Sequence, residues 1–267
     1  MTLNIGGVEI GGDSPCRFVA EISNNHNGDL ARALRLIDAA KASGADFVKF
    51  QCYTPDELVS LRGDGPAPDP WGSQGWTMRT LYEKAATPLD WFPALFDHAR
   101  KTGIAPFASV FGLDSLTMLE RCACPAYKIA ALDRKQVGLI EAAASRRKPM
   151  LVSENSNSPS HQTVSAHAAS VAFLWCPPGY PAPIEDVRLP WIFGQQMSGF
   201  RDGYIGLSSH CLDPLLPVAA VARGCRLIEM HFQLDDEPSE LEADVSLTAS
   251  QFKQMIADVR RVEAMLA

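Results

Sequence analysis

Two histidines of this sequence follow apolar segments, at the spacing expected of strand ends. His210 closes YIGLSSH, and His231 lies in RLIEMHF two residues after Glu229. Residues two apart in a strand point to the same face, and neutral imidazole is the commonest protein ligand for a divalent ion. We therefore predict that His210 and His231 bind one divalent metal ion. The alternative is that each histidine is a hydrogen-bonded filler near a strand end.

Two lysines lie inside otherwise apolar segments, Lys49 in DFVKFQ and Lys128 in AYKIA. Because lysine is almost never fully buried without a partner, each side chain must meet an anion. One interpretation is the phosphate or carboxylate group of a bound ligand. The other is ion pairing with Glu21, Asp133 or Glu229. The residue types by themselves leave both interpretations open.

Eight short apolar segments alternate with segments of helical period, which predicts repeated βα units and a parallel sheet. Asp29 and Gly44 bracket the first helical segment, and Thr248 with Gln251 begins the last at capping-box spacing. We predict an α/β fold, a TIM (β/α)8 barrel with a short N-terminal hairpin, whose active site lies at the C-terminal strand ends. The predicted strands are 17–22, 46–51, 105–110, 126–130, 149–153, 171–176, 204–209 and 226–232.

The composition is that of an ordinary globular protein, with 46% hydrophobic and 21% charged residues. A net charge of −7 without a basic run argues against nucleic-acid binding. No segment has the pattern of an export signal or a membrane span. We therefore predict a cytoplasmic protein with no nucleic-acid or membrane partner, whose seven cysteines are reduced thiols.

Several motifs recur together, in order, in one known family. The stretch FVAEISNNHNGDLARALRLIDAAKASGADFVKFQ, followed by PAYKIA, YPAPIEDV, GLSSH and IEMHF, resembles the N-acetylneuraminate (sialic acid) synthase family. LYEKAATPLDWF is more similar to the pseudaminic acid synthase branch. The resemblance implies a transferase that joins phosphoenolpyruvate to an aldose of the aminohexose type, giving a 2-keto sugar acid (a nonulosonic acid) and phosphate. It also implies a divalent metal ion and a homodimer or higher homo-oligomer.

The resemblance assigns roles to individual residues. His210 and His231 match the metal ligands, for which we expect manganese, with cobalt, zinc, iron or magnesium left open. The implied catalytic and substrate-binding residues share positions at strand ends or directly after them. The catalytic set is Glu21, Lys49, Lys128 and Asp133, and the substrate-binding set is Asn25, Gln51, Ser153, Tyr180 and Ser208.

The sequence departs from the family pattern around the implied phosphate site. Val110 and Ala131 stand where hydroxyl side chains are usual, and Glu154 with Asn155 replaces a usual Thr-Gly turn. Loss of hydrogen bonds to a charged acceptor weakens binding, and a carboxylate repels phosphate unless it turns away or meets a cation. We expect weakened phosphoenolpyruvate binding, with Asn155 or Ser156 as the compensating group.

Two further departures concern the metal site and the end of the chain. A usual aspartate after the second metal histidine is absent, and Glu242 or Asp244 is expected to take its place. Full-length family members add an antifreeze-like domain that reaches across the dimer. This sequence stops at Ala267, so we expect a single synthase-like barrel domain over 1–267 without that domain.

Alternatives to the synthase activity stay open at this point. One is a divergent metal-dependent barrel enzyme, an aldolase or isomerase acting on a sugar or keto acid. Another is a non-catalytic barrel subunit. The Pro- and Gly-rich segment Gly63–Trp76 is predicted to be either a lid or dimer contact, or a mobile surface loop.

Overall fold

The chain begins with a small antiparallel hairpin. The computed structural model describes residues 2–133, 136–154, 170–189, 193 and 204–267. Strands β1 (Thr2–Ile5) and β2 (Val8–Gly11) pair antiparallel. Leu3, Ile5 and Ile10 of the hairpin are buried in the main hydrophobic core. The predicted N-terminal hairpin is therefore confirmed.

Eight parallel strands form a closed barrel, as predicted. Consecutive strands pair in sequence order, and the last also pairs with the first, which closes the sheet. Each predicted strand is found with its ends within one residue of the expectation. The strands are β3 (Arg17–Glu21), β4 (Phe47–Cys52), β5 (Ala105–Val110), β6 (Tyr127–Ile129), β7 (Met150–Glu154), β8 (Val171–Trp175), β9 (Tyr204–Ser209) and β10 (Leu227–Gln233).

A further strand that the sequence did not predict extends the C-terminal face of the barrel. Strand β11 (Ser246–Thr248) runs parallel to β10 and pairs with it over His231–Gln233. The pairing of β10 with β9 ends at Met230, so β11 begins where β9 stops. The segment between β10 and β11 is thereby held beside the barrel mouth.

Helices cover the barrel, and several begin with side-chain caps. Asp29 accepts a hydrogen bond from Ala31 N, and Thr248 forms the predicted capping box with Gln251. Among the described ranges, the helices are α1 (Leu30–Ala42), α2 (Pro55–Arg62), α3 (Met78–Ala85), α4 (Phe92–Thr102), α5 (Leu113–Arg121), α6 (Val137–Ala144), α7 (Leu215–Ala222) and α8 (Ala249–Leu266). In these residues no helix is long and apolar enough to cross a membrane.

The second βα unit is longer than the others described because α2 and α3, joined by a folded segment, precede its third helix, α4. Pro66 and Thr77 form an antiparallel bridge across this segment. Ala67 N donates to Trp76 O at 3.0 Å, and Met78 N donates to Gly65 O at 2.8 Å. These bonds tie the two ends of the Pro- and Gly-rich stretch together beside the barrel mouth.

The barrel interior is packed with large apolar side chains. Phe47 of β4 and Phe107 of β5 make an edge-to-face contact with ring centroids 5.7 Å apart. Gly206 of β9 permits close packing, because a Cβ there would overlap the carbonyl oxygen of Leu227. All seven cysteines are buried and free, in agreement with the prediction of reduced thiols.

Candidate active site

A cavity of about 430 Å³ lies at the C-terminal ends of the strands. This size is typical of a site that encloses a small molecule. One end of the cavity is polar and the other is apolar. The polar end is lined by Lys49, Ser109, Lys128, Ser153, Ser208 and Glu229, together with both predicted metal histidines.

The strand register explains why these polar side chains meet. Glu21 of β3 is directly opposite Lys49 of β4, and Ser109 of β5 is opposite Lys128 of β6. On the other side of β3, Glu229 of the adjacent strand β10 lies beside Ser208 of β9. Parallel strands that end at the same height thus bring the polar residues of neighbouring strands into one layer.

Lys128 and Glu229 form a buried ion pair across the barrel. The Lys128 Nζ lies 2.9 Å from both carboxylate oxygens of Glu229. Burial lowers the pKa of Lys128, and the attraction of Glu229 offsets this only in part. Burial would raise the pKa of Glu229, but Lys128 and then Lys49 hold it at about 2. The carboxylate is therefore charged at neutral pH.

Lys49 lies beside the same pair and has partners of its own. Its ammonium group contacts the Glu21 carboxylate, donates to Ser109 Oγ at 3.0 Å and lies 3.4 Å from Glu229 Oε1. Burial acts to lower the pKa of Lys49, but the carboxylates of Glu21 and Glu229 outweigh burial and raise it. Ion pairing, one of the two interpretations of the buried lysines, is thus present for both of them.

Ser153 presents a hydroxyl that no described residue bonds. Its side chain is 2% exposed and lines the cavity. Among the described residues its Oγ has no hydrogen-bond partner. Because buried polar atoms are normally hydrogen-bonded, such an atom at a cavity wall is open to a partner from within the cavity. Ser208, by contrast, donates to Glu229 Oε1 at 2.9 Å.

The two predicted metal histidines face each other at the cavity wall. The ring centroids of His210 and His231 are 5.1 Å apart. Burial, followed by the neighbouring His231, lowers the pKa of His210 to about 3, so its ring is neutral. Burial acts to lower the pKa of His231 as well, but Glu242 outweighs it and raises that pKa.

Glu242 and Tyr180 contact the histidine pair. Glu242 Oε2 lies 3.1 Å from Nδ1 of His231, and the Tyr180 hydroxyl donates to the other oxygen of Glu242. The Tyr180 ring also contacts His210 edge-on, with centroids 4.6 Å apart. Of the two residues expected to replace the absent aspartate, Glu242 contacts His231, one of the two predicted metal ligands.

The donor set fits a divalent ion with two protein ligands. A carboxylate on Nδ1 of His231 leaves Nε2 as the atom that a metal would bind, which is the usual arrangement around ligating histidines. Imidazole-metal bonds of about 2.1 Å allow two rings at this separation to share one ion. In the described part of the chain, no cluster of three or more His, Cys, Asp or Glu side chains forms a complete cage.

The remaining predicted residues lie in different settings. Gln51 lines the cavity and donates to Ser23 Oγ at 2.9 Å. Asn25 instead donates to Phe232 O and Ser246 Oγ, which ties the loop after β3 to β10 and β11. Asp133 is buried and bound by the guanidinium of Arg62 through both carboxylate oxygens.

Asn24 and Arg62 are among the lining residues that the sequence did not predict. Asn24, beside Asn25, lines the cavity with its Oδ1 unpartnered among the described residues. Arg62, at the end of α2, lines the cavity while it binds Asp133. The polar run NNHNG signals Asn24, whereas no sequence pattern distinguishes Arg62 from a surface arginine.

Only some of the residues that depart from the family pattern line the cavity. Ala131 lines the cavity, whereas Val110 is completely buried. Glu154 is buried, and the described lining residues include its neighbour Ser153 but not Glu154 itself. Asn155 and Ser156 lie outside the described residues.

The second βα unit supplies part of the apolar end of the cavity. Pro68 and Trp71, from the segment between α2 and α3, line it directly. That segment therefore lies at the cavity mouth. The predictions of a lid, a dimer contact or a mobile surface loop remain predictions. The apolar wall includes Leu58, Trp71, Met78, Leu81, Phe111 and Leu132.

Fold and site together define a TIM-barrel enzyme whose candidate site is a cavity at the strand ends. The NeuB family model matches residues 36–267, and the chain belongs to the NeuB family. The family resemblance is thus confirmed. The chain is an enzyme, a transferase of this synthase family.

Known relatives agree with this assignment. The chain is 35% identical over 264 residues to the pseudaminic acid synthase of Helicobacter pylori, covering 92% of this chain and 74% of that protein. It is 30% identical over 267 residues to the N-acetylneuraminate-9-phosphate synthase of Homo sapiens, covering 96% of this chain and 73% of that protein.

A solved structure shows the same fold. The N-acetylneuraminic acid (sialic acid) synthetase of Leptospira borgpetersenii serovar Hardjo-bovis, in complex with citrate, superposes with a TM-score of 0.85 at 26% identity. The match covers 100% of this chain and 90% of that chain. The predicted oligomeric state, single-domain organisation and cytoplasmic location remain predictions.

Proposed function

We propose that this enzyme condenses phosphoenolpyruvate with an aldose, in a metal-dependent reaction, to give a nonulosonic acid and phosphate. A bond forms between C3 of phosphoenolpyruvate and the aldehyde carbon, water adds at C2, and phosphate leaves. The observation that carries the proposal is the group of two buried lysines beside the unsatisfied hydroxyl of Ser153. The named activities of the relatives support the same reaction class.

The polar end of the cavity is the proposed phosphoenolpyruvate site. Lys49 and Lys128 supply positive charge, and the Ser153 hydroxyl supplies a free hydrogen-bond donor. Charge-assisted hydrogen bonds from fixed groups hold an anion in one orientation. Holding the reactants in this way lowers the entropy cost of bringing C3 to the aldehyde.

His210 and His231 would hold the divalent ion, and Glu242 would orient His231 through Nδ1. Such an ion, with manganese as our proposal, supplies Lewis-acid polarisation of the aldehyde oxygen. The neutral His210 ring favours a transition metal over the harder magnesium ion. Tyr180 packs against His210 and limits its movement.

The acceptor aldose is proposed to lie between the histidines and the apolar end. Gln51, Asn24 and Tyr180 offer polar groups on the side nearer the histidines. Trp71 and Met78 offer mostly apolar surface on the other side. A hydroxyl buried against such a wall loses its hydrogen bonds, at a cost of about 1–3 kcal/mol. This favours an aminohexose whose acyl group faces the apolar wall.

The direct test is phosphate release. The protein, manganese and phosphoenolpyruvate are mixed with a panel of aldoses that includes N-acylated aminohexoses, and free phosphate is measured. We expect release that depends on both the metal and the aldose, with one 2-keto acid formed per phosphate. Absence of release with every aldose would contradict the proposed reaction. Aldose consumption without phosphate release would instead indicate an aldolase or isomerase.

A further inference from the structure

The carboxylate of Glu229 occupies the position between the two lysines of the proposed anion site. Both of its oxygens lie 2.9 Å from Lys128 Nζ, and Oε1 is also 3.4 Å from Lys49 Nζ. Ser208 Oγ donates to the same Oε1 at 2.9 Å. Glu229 itself is 6% exposed. The protein thus places an anion of its own among the groups proposed to bind the substrate anion.

The hydrogen-bond donors of the lysines are largely committed by this arrangement. An ammonium group has three N–H donors. Lys49 has three acceptors around it, in Glu21, Glu229 and Ser109. Lys128 directs its contacts to the two oxygens of Glu229. Both ammonium groups are therefore held in fixed positions within the protein, and an incoming anion must share Lys128 with Glu229.

Charge balance gives Glu229 a second effect. Two ammonium groups in one buried layer repel each other, and burial by itself favours their neutral forms. The groups that face Lys128 are Glu229 on β10, Lys49 on β4 and Cys176 after β8. Burial raises the pKa of Cys176 to about 11, so the thiol stays neutral near physiological pH. Of these three neighbours, Glu229 supplies the negative charge that favours a protonated Lys128.

We propose that Glu229 is a positioning residue of the anion site, which keeps Lys128 charged and aligned and competes with the substrate anion for it. This inference rests on the proposed function, because it assumes that the substrate anion binds at the lysines. Glu229 therefore sets the affinity of the site for anions and makes that affinity insensitive to pH. A role confined to packing would not couple anion affinity to pH.

Sulfate is the suitable probe because its charge is constant across the tested range. Calorimetric titrations at constant ionic strength, from about pH 6 to about pH 8.5, compare the parent with Glu229→Gln. We expect the sulfate affinity of the parent to change less than about threefold over this range. The variant should bind sulfate about tenfold more tightly at the lowest pH, because one negative charge is gone. Its affinity should then fall about tenfold or more toward the highest pH, because Lys128 loses its proton.

Two control variants isolate the carboxylate charge. Ser208→Ala removes one donor to Glu229 while it keeps every charge, so its pH profile should stay flat. Glu240→Gln removes an exposed carboxylate between β10 and β11 and should leave sulfate affinity unchanged. Glu229→Asp keeps the negative charge. Its sulfate affinity should therefore be independent of pH again, and should lie closer to that of the parent than the affinity of Glu229→Gln does.

The outcomes separate this inference from the proposed function. If the parent binds sulfate and Glu229→Gln binds it equally well with the same pH profile, the role of Glu229 is wrong while the synthase proposal stands. If the parent binds neither sulfate nor phosphoenolpyruvate, both are overturned. Should Glu229→Gln fail to fold, the parent is titrated in two buffers of different ionisation enthalpy. Uptake of about one proton per sulfate near pH 8 would overturn the inference, and no uptake would support it.

Discussion

Nδ1 of His231 lies 3.1 Å from Oε2 of Glu242, which follows it by 11 positions. The contact spans the connection between β10 and β11, and Tyr180 binds the other oxygen of the same carboxylate. His231 pairs in register with Ser246 of β11, so the extra strand holds this connection near the histidine. The arrangement orients one imidazole of a pair and leaves its Nε2 directed elsewhere.

Removal of either histidine should abolish metal retention. His210→Ala and His231→Ala each delete one of two proposed protein ligands, and one imidazole cannot hold a divalent ion through dialysis. Metal content is measured by elemental analysis after loading with manganese and dialysis. The His98→Ala protein, which changes a half-buried histidine away from the site, serves as the control. Equal metal content in the parent and both site variants would show that the metal assignment is wrong.

Glu242→Gln should weaken metal binding without removing a ligand. The amide keeps the size of the side chain but loses the charge that orients His231 and increases its basicity, so we expect a 10–100-fold lower affinity. Competition with a fluorescent chelator measures the change. Glu240→Gln, an exposed neighbour in the same connection, is the matched control and should bind metal like the parent.

Phosphoenolpyruvate binding should depend on both buried lysines. Each charged hydrogen bond contributes about 1.5–3 kcal/mol, so Lys49→Ala and Lys128→Ala should each lose at least about tenfold in affinity. Calorimetry with manganese present gives the dissociation constants, and Lys101→Ala, exposed near the end of α4, is the control. Identical binding by all four proteins would exclude these lysines as the anion site. Ala131, a lining residue without a hydroxyl, leads us to expect weak binding by the parent as well.

The free energy of unfolding should decrease as the pH is lowered, because of the buried His26, which is 1% exposed. Its Nδ1 accepts a hydrogen bond from Gly28 N at 3.0 Å, so Nε2 carries the proton and lies 3.1 Å from Thr87 Oγ1. Burial lowers the pKa of His26 to about 4. The unfolded chain takes up a proton near pH 6.5, so stability is complete above that pH and is lost between about 6.5 and 4.

The expected loss from His26 between pH 7 and pH 5 is about 2 kcal/mol. Urea denaturation of the parent and of His26→Asn at both pH values measures it. The variant should be less stable at pH 7 but should lose about 2 kcal/mol less than the parent on acidification. Parallel pH profiles for the two proteins would contradict the assignment.

Glu57 of α2 should stabilise α5, a separate helix. Its Oε1 accepts hydrogen bonds from Asp114 N and Ser115 N, both at 3.1 Å, at a helix start where Gly112 offers no side-chain cap. Glu57→Gln should cost about 1–2 kcal/mol of unfolding free energy. Gly112→Ala should cost a similar amount, because a Cβ there would displace the Glu57 carboxylate.

A double-mutant cycle tests whether these two losses are one effect. Since both changes break the same contact, the double variant should lose much less than the sum of the single variants. Denaturant unfolding gives the three free energies. The exposed Glu83→Gln protein, on α3, should unfold like the parent. Additive losses would mean that Gly112 acts independently of Glu57.

The amino-acid sequence by itself determined the barrel and the list of polar strand ends. Hydrophobic periodicity is a local property, so eight strands and the capped helices follow from neighbouring residues along the chain. The motifs around Lys49 and His210 sufficed to recognise the family. Strand alternation also placed Ser208 and His210, like Glu229 and His231, on shared faces.

Only the tertiary structure decided which of these groups meet. The sequence left Glu21, Asp133 and Glu229 as candidate partners for two lysines, and the closed barrel pairs Lys128 with Glu229 from the opposite side. Asp133 instead forms an ion pair with Arg62 of α2, which no sequence motif identified as a site residue. Such contacts join elements far apart in the chain, and their distances depend on strand register and barrel closure.

The loop after β3 shows the same difference between what the sequence and what the tertiary structure determined. Asn25 was predicted to bind substrate, yet the turn after β3 directs it to β10 and presents Asn24 to the cavity. Ser23 in that turn has a φ of 49°, a left-handed conformation that its residue type does not predict. Because one such dihedral redirects every following side chain, the sequence determined which residues surround the site, and the folded backbone decided which of them face it.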